Sequence, residues 1–256
     1  MRNIFKMDIH RLLHSKVFYV SLAFLIVAVV SMPLSGLGTS MEMLMGVGGS
    51  IGAEAGDDFM QSMLGTSIVF ILIGIIQTLF ICGDYSGGFC KNIFTAHADA
   101  KGYIGGKMLS MSVASGIMLV FYTVVALLAL AISGNGIVLS GGVFGLLAFL
   151  VQKWLLSCAF NAVLLLVNLI SRNTAVGVIA SFLVATGGLT MGLAMFGEML
   201  GIGWISQIGK VMISGASQLC TLMFSGATCI NVLLVSAVWI CACFFGSKRV
   251  LATKDV

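Results

Sequence analysis

The sequence predicts an all-α polytopic membrane protein with six transmembrane helices, and three observations predict it. Hydrophobic residues fill 59% of the 256 positions and charged residues only 9%, against roughly 45–50% and about 25% in an ordinary soluble domain. Several apolar runs reach the ~20 residues that a helix needs to cross a hydrocarbon core of about 30 Å. Lysine and arginine, finally, crowd the connections on one side of those runs. Lipid offers backbone N–H and C=O groups no partners, so the runs must be helical.

Length and flanking charge place the spans at 17–33, 64–82, 108–132, 143–170, 174–197 and 229–246. With that even count, Arg2, Lys6, Arg11, Lys16, Lys91, Lys101, Lys107, Arg172, Lys248, Arg249 and Lys254 share one face, opposite Lys210 alone; Lys153 lies within a span. Positive charge in short loops resists translocation. The expectation is therefore a multi-pass inner (cytoplasmic) membrane protein with both termini in the cytoplasm. No small-residue cleavage site precedes Pro33, so the first span is expected to stay in the protein.

Residues 1–16 read as an amphipathic helix on the inner membrane face, with Phe5, Ile9, Leu12 and Leu13 as its apolar stripe and Arg2, Lys6, His10, Arg11 and His14 around the rest of the wheel. The first external stretch, 34–63, is rich in Gly, Ser and Met. Glu54, Asp57 and Asp58 stand there without a coordination pattern, which makes it a solvated acidic loop rather than a cation site.

Between the second and third spans runs a cytoplasmic segment, 83–107, long beside the tight inner turn at Ser171, Arg172 and Asn173. Within it, 89–100 can form a short helix after the Gly87–Gly88 break, with Phe89, Ile93 and Phe94 as an apolar edge fit to dock a soluble partner. Outside the cell, 198–227 is apolar yet broken by Gly201, Gly203 and Gly209, and each arm is too short to cross; a re-entrant or interfacial hairpin fits best. A single crossing there would put Lys248 and Arg249 on the wrong face.

Catalytic equipment is not legible in the chain. All three histidines, His10, His14 and His97, are expected in the cytoplasm, and there is no HExxH, no GxSxG and no paired carboxylate within a span. The absence of a GxxxxGK[ST] loop means that any ATP energy comes from another subunit. No metal site is expected. Ion-coupled carriers hold carboxylates mid-membrane; here Glu198 is nearest, at the outer end of span five. Lys153 is the one charge well inside a span, either in a substrate path or with its long stem snorkelling or paired. Asn161 and Asn168 sit further inward on that span as polar glue. The seven cysteines read as small apolar fillers, and only Cys220 and Cys229 could meet outside the cell as a disulfide. Gly-x-x-x-Gly pairs at 141/145, 188/192 and 197/201 carry no weight, since 32 glycines in 256 residues give about four such pairs by chance.

The interfacial helix, six spans, the cytoplasmic segment 83–107 and the broken hairpin 198–227 together resemble the ABC-2-type permeases, the membrane subunits of type V ABC exporters. The segment 83–107 carries the most sequence-like match: Asp84, Gly87 or Gly88, Ile93, Phe94, Tyr103, Gly106 and Lys107 fit the family's outline of an acidic residue, a glycine, an apolar helix, a Pro-x-x-Arg-like turn, then an aromatic and Gly-Lys entering span three, with a departure at 96–101, which has no proline and has Lys101 where arginine is usual. The resemblance implies one transmembrane permease domain over 1–256, working as a dimer of identical or paralogous permeases. Two cytoplasmic ABC ATPase subunits would hold the ATP and Mg, with no cofactor on this chain, membrane lipid around it and no nucleic acid. It implies that 83–107 is a coupling helix, with Asp84, Tyr85, Gly88, Phe89, Lys91, Phe94 and Lys101 facing the ATPase. Lys153, Asn161 and Glu198 are candidates for the translocation path. Permeases of this size are similar to those of peptide-antibiotic or lantibiotic export and immunity systems. Two rival readings stay open: a carrier or channel without ATP, with a path through Lys153 and the hairpin, and a membrane sensor or immunity scaffold.

Overall fold

The computed structural model describes residues 2–34, 67–88, 100–132, 142–199, 201, 209, 211–222 and 225–253. Among them there is no strand. The helices are α1 (Arg2–Leu13), α2 (Lys16–Leu34), α3 (Ile68–Ser86), α4 (Ala100–Ile132), α5 (Gly142–Ser171), α6 (Thr174–Ala185), α7 (Gly188–Met199), the short α8 (Ile213–Gln218) and α9 (Gly226–Thr253).

Four stretches are long and apolar enough to cross a membrane alone: Ile68–Ser86, Gly102–Ala129, Gly142–Ser171 and Gly226–Leu251. Two bent pairs pass only when taken together, α1 with α2 at 53° and α6 with α7 at 67°, so the described residues carry four to six helices long and apolar enough to cross a membrane. Both bends have local causes. Ser15 ends α1 and opens α2, its hydroxyl donating to Leu12 O at 2.8 Å and accepting from Phe18 N–H at 3.2 Å. The second bend falls at Thr186–Gly187, where Thr186 donates both N–H and Oγ1–H to Phe182 O and Gly187 takes a φ of +78° that other residues avoid. The expected fifth span, 174–197, is thus bent at its middle. It consists of two 12-residue arms of about 18 Å each.

Helix α5 is the hub, touching α3, α4, α6, α8 and α9. A helix apolar all round is suited to that place, and Phe149, Leu156, Phe160, Leu164 and Leu165 are all buried. The Phe160 ring meets Phe70 of α3 edge to face, centroids 5.5 Å apart. The outer helices show the opposite pattern. Leu109, Ile117, Val120, Val124 and Leu128 stand exposed along α4, as do Ile230, Leu233, Leu234 and Val238 along α9. Rows of this kind are stable only against lipid or another apolar surface.

Small residues bring α3, α5 and α6 into close approach. A Cβ on Gly74 would lie 2.4 Å from Ser181 Cβ, and one on Gly177 would lie 2.1 Å from Asn168 Oδ1. At one end of the bundle Ile81, Tyr103, Ile104, Leu165, Leu169 and Leu251 form a separate apolar cluster joining α3, α4, α5 and α9. Arg172 lies at this end in a tight turn, at φ +50° with its guanidinium 5.0 Å from the Tyr85 ring, and Asn173 then caps α6 by accepting from Ala175 N–H.

The arm 211–222 runs beside α5 and α9. A Cβ on Gly145, three residues into α5, would meet Leu222 O at 2.4 Å; Lys153, eleven residues in, bonds Ser217; and Trp239, thirteen residues into α9, donates to Val211 O at 3.1 Å. At 1.5 Å per residue these contacts fall about 5, 17 and 20 Å from the helix starts, so the arm lies alongside the bundle. Of the segment expected as a hairpin, 202–208, 210, 223 and 224 lie outside the described residues.

Candidate functional site

Two polar constellations occur in the apolar bundle, one at the end that carries Arg172 and one midway along α5. The first begins on α1. Its buried face carries Leu12 as expected, but also Asp8, whose side chain is wholly buried. Lys107, at the first turns of α4, is equally buried, and its Nζ donates to Asp8 Oδ1 at 3.1 Å and to Asp84 Oδ2 on the last turn of α3. Arg11 completes the set, Nη2 to Asp84 Oδ1 at 3.0 Å. Phe80 supplies the apolar wall, with Lys107 Nζ 3.9 Å and the Arg11 guanidinium 5.3 Å from its ring centre.

Two carboxylates and two cations leave the cluster neutral, the condition under which buried charges are tolerated. Burial pushes the Asp8 carboxyl above its ordinary range, against the opposing pull of Lys107. The geometry joins three elements: α1 to both stems of the chain that leaves α3 and returns in α4. The sequence reading named neither Asp8 nor a partner for Lys107. Asp8 lies three residues from Phe5 and four from Leu12, so it shares their face, a placement readable as an acid on an apolar stripe.

The other candidate coupling residues divide. Asp84 is within the cluster and Tyr85 is beside it, under Arg172. Gly88, with φ +68°, is where the chain turns away from α3. Phe89, Lys91 and Phe94 lie outside the described residues, as does the Lys101 side chain. The expected stretch 83–107 is shorter as a connection, because α3 continues to Ser86 and α4 already begins at Ala100. Asp84 and Lys107 are thus helical residues that face each other.

The second constellation follows α5. Lys153 is 3% exposed, so its stem does not snorkel outward; Nζ donates to Ser217 O at 3.0 Å and Oγ at 2.6 Å, 5.3 Å from the Phe149 ring centre. Ser157 and Asn161 follow at steps of four, and Asn168 one further heptad on, so they share a face. Ser157 donates to Ser115 Oγ at 3.1 Å. Asn161 Nδ2 donates to Met111 O and Ser115 Oγ, both at 3.3 Å, while Asn161 O accepts from Gln77 Nε2 at 2.6 Å. Asn168 Nδ2 donates to Thr78 Oγ1 at 3.3 Å. The sequence reading missed Gln77, Thr78, Ser115 and Ser157; their signal was polar residues within apolar runs.

Three buried acceptors on or beside this stripe, Gln77 Oε1, Gln152 Oε1 and Asn161 Oδ1, have no hydrogen-bond partner among the described residues. Cys220 and Cys229 are both free, with Cys220 Sγ 3.4 Å from Ala216 O and Cys229 Sγ 2.9 Å from Gln152 Nε2. The disulfide considered from sequence is not formed. Glu198 belongs to α7, but its side chain lies outside the described residues. Among the described residues no three His, Cys, Asp or Glu side chains come together as a metal set. No model of a known protein family matches this sequence, and no curated protein matches it.

Proposed function

We propose that this chain is the membrane permease subunit of an ATP-binding cassette exporter, moving a peptide or amphipathic small molecule with ATP hydrolysed on a separate cytoplasmic subunit. The observation that carries the reading is the four-residue ion cluster. It holds α1 against both stems of the connection between α3 and α4, the juxtaposition that a coupling segment with a neighbouring N-terminal helix requires. Motion imposed on that connection would reach α3 and α4 through Asp84 and Lys107, and α1 through Asp8 and Arg11. Two permease copies or paralogues and two ATPases would complete the transporter.

In this reading α2 is the first span, with α1 lying at the interface, and the bent pair α6–α7 is the fifth, giving six, with both termini in the cytoplasm of the inner membrane. The gathering of Arg11, Lys107 and Arg172 at the end where Leu251 packs supports that orientation. The arm 211–222 would be the returning half of a re-entrant hairpin, a reading that its contacts about 20 Å along α9 support.

Phe89→Asp with Phe94→Asp should abolish co-purification with the ATPase encoded nearest in the genome, since two carboxylates remove the apolar edge that would seat it. Undiminished association rejects the docking claim. Orientation is checked separately. In a variant retaining only Cys90, a membrane-impermeant thiol reagent should leave intact cells unlabelled and label them once permeabilised. Labelling of intact cells would put the connection on the wrong side of the membrane.

A further inference from the structure

Where α1 turns into α2, a groove of about 220 Å³ opens against α3, lined by Arg11, Ser15, Val17, Ile76, Leu79 and Gly83 among others. Its walls are chiefly hydrocarbon, and Val17 and Leu79, each 40% exposed, form the rim that faces outward from the bundle. Arg11 stands in it with a side chain 40% exposed. Lys16, exposed, lies between two lining residues, Ser15 and Val17. The carboxylates close by, Asp8 and Asp84, are buried and matched by Lys107 and Arg11. Those four charges cancel, so Lys16 leaves the accessible charge around the groove positive above an apolar floor.

We propose that this groove binds one anionic glycerophospholipid, its phosphate held by Arg11 and Lys16 and an acyl chain lying along Ile76, Leu79 and Val17. Charge complementarity selects the occupant. A guanidinium presents a fork of donors matched to phosphate oxygens, and juxtamembrane cations attract anionic headgroups electrostatically. An amphipathic helix of this kind is where headgroup and acyl region meet. A zwitterionic lipid would bring a choline or ammonium group among cations, with no accessible carboxylate there among the described residues to receive it. The lipid would then brace the α1–α2 corner against α3 from outside, as the ion cluster does from inside.

The test uses the full chain purified in detergent, with thermal unfolding followed as dioleoylphosphatidylglycerol or dioleoylphosphatidylcholine is added. At about a hundredfold excess over its Kd, phosphatidylglycerol should raise the midpoint by on the order of 5–10 °C, and phosphatidylcholine or free glycerol phosphate should not. Gly83→Leu should erase the rise, since a Cβ at Gly83 meets nothing within 4 Å and the new side chain fills the groove while Arg11 stays in place. Val17→Asp, on the exposed rim, should erase it through repulsion. Equal rises with the two lipids, or an undiminished rise in whichever variant keeps the wild-type lipid-free midpoint, would overturn the site.

Discussion

Lys107→Met should lower the stability of the folded chain by about 3–5 kcal/mol, the usual cost of removing one partner from a buried ion pair. A drop of this size is on the order of 10 °C in an unfolding midpoint for a chain of this length. The substitution keeps the volume roughly constant but leaves Asp8 and Asp84, both wholly buried, with Arg11 as the remaining cation of the cluster. The double variant Lys107→Met with Asp84→Asn should recover part of the loss, because one stranded charge disappears with its partner. Asp8→Asn should cost no more than about 1 kcal/mol, because burial already disfavours the Asp8 carboxylate and an amide oxygen can still accept from Lys107.

The pH dependence has a definite sign. A carboxyl whose folded-state pKa is raised stabilises the fold fully below its unfolded pKa and loses that contribution as pH climbs through the raised value. Wild-type protein should therefore lose stability over that interval, by an amount that Asp8→Asn removes from the curve. A Lys107→Met midpoint within a degree of wild type would show that the four charges do not act as a unit. It would also remove the main support for α1 acting with the α3–α4 connection.

Much of the bundle was legible because hydropathy and the span length act over twenty residues at a time. Spans expected at 143–170 and 229–246 lie within α5 and α9, and the tight turn at Arg172 lies where loop length required it. The sequence was less informative where single residues decide. The break at Thr186–Gly187 depends on a side-chain hydrogen bond and one positive φ within a run whose hydropathy never falters. Close packing at Gly74 and Gly177 is set by which residue faces them across the interface, and no pattern in one chain reveals that. The burial of Lys107 was not legible for the same reason. A lysine at a helix start is ordinarily at the surface, and its burial follows from Asp8, 99 positions away. The Lys153 amine was ambiguous because its long stem can reach several environments; the nearby arm supplies a carbonyl and a hydroxyl that settle its direction.

That contact makes Lys153 the hinge between α5 and the arm 211–222, and Lys153→Met should loosen the arm. Losing hydrogen bonds from a charged donor costs about 1.5–3 kcal/mol, which corresponds to opening that is roughly 10- to 150-fold more frequent. Cys220, 3% exposed two residues beyond Gln218, reports the opening. In a variant with Cys220 as the single cysteine, maleimide labelling should accelerate by at least tenfold, because modification of a buried thiol follows the population of the open state. Lys153→Glu should act more strongly, since it sets a carboxylate against the Ser217 carbonyl, two acceptors with no proton between them. Unchanged labelling in both variants would mean that Gly145 and Trp239, at the two ends of the arm, hold it without help from the lysine. A faster rate in both would identify the lysine as the element that keeps the arm closed against α5.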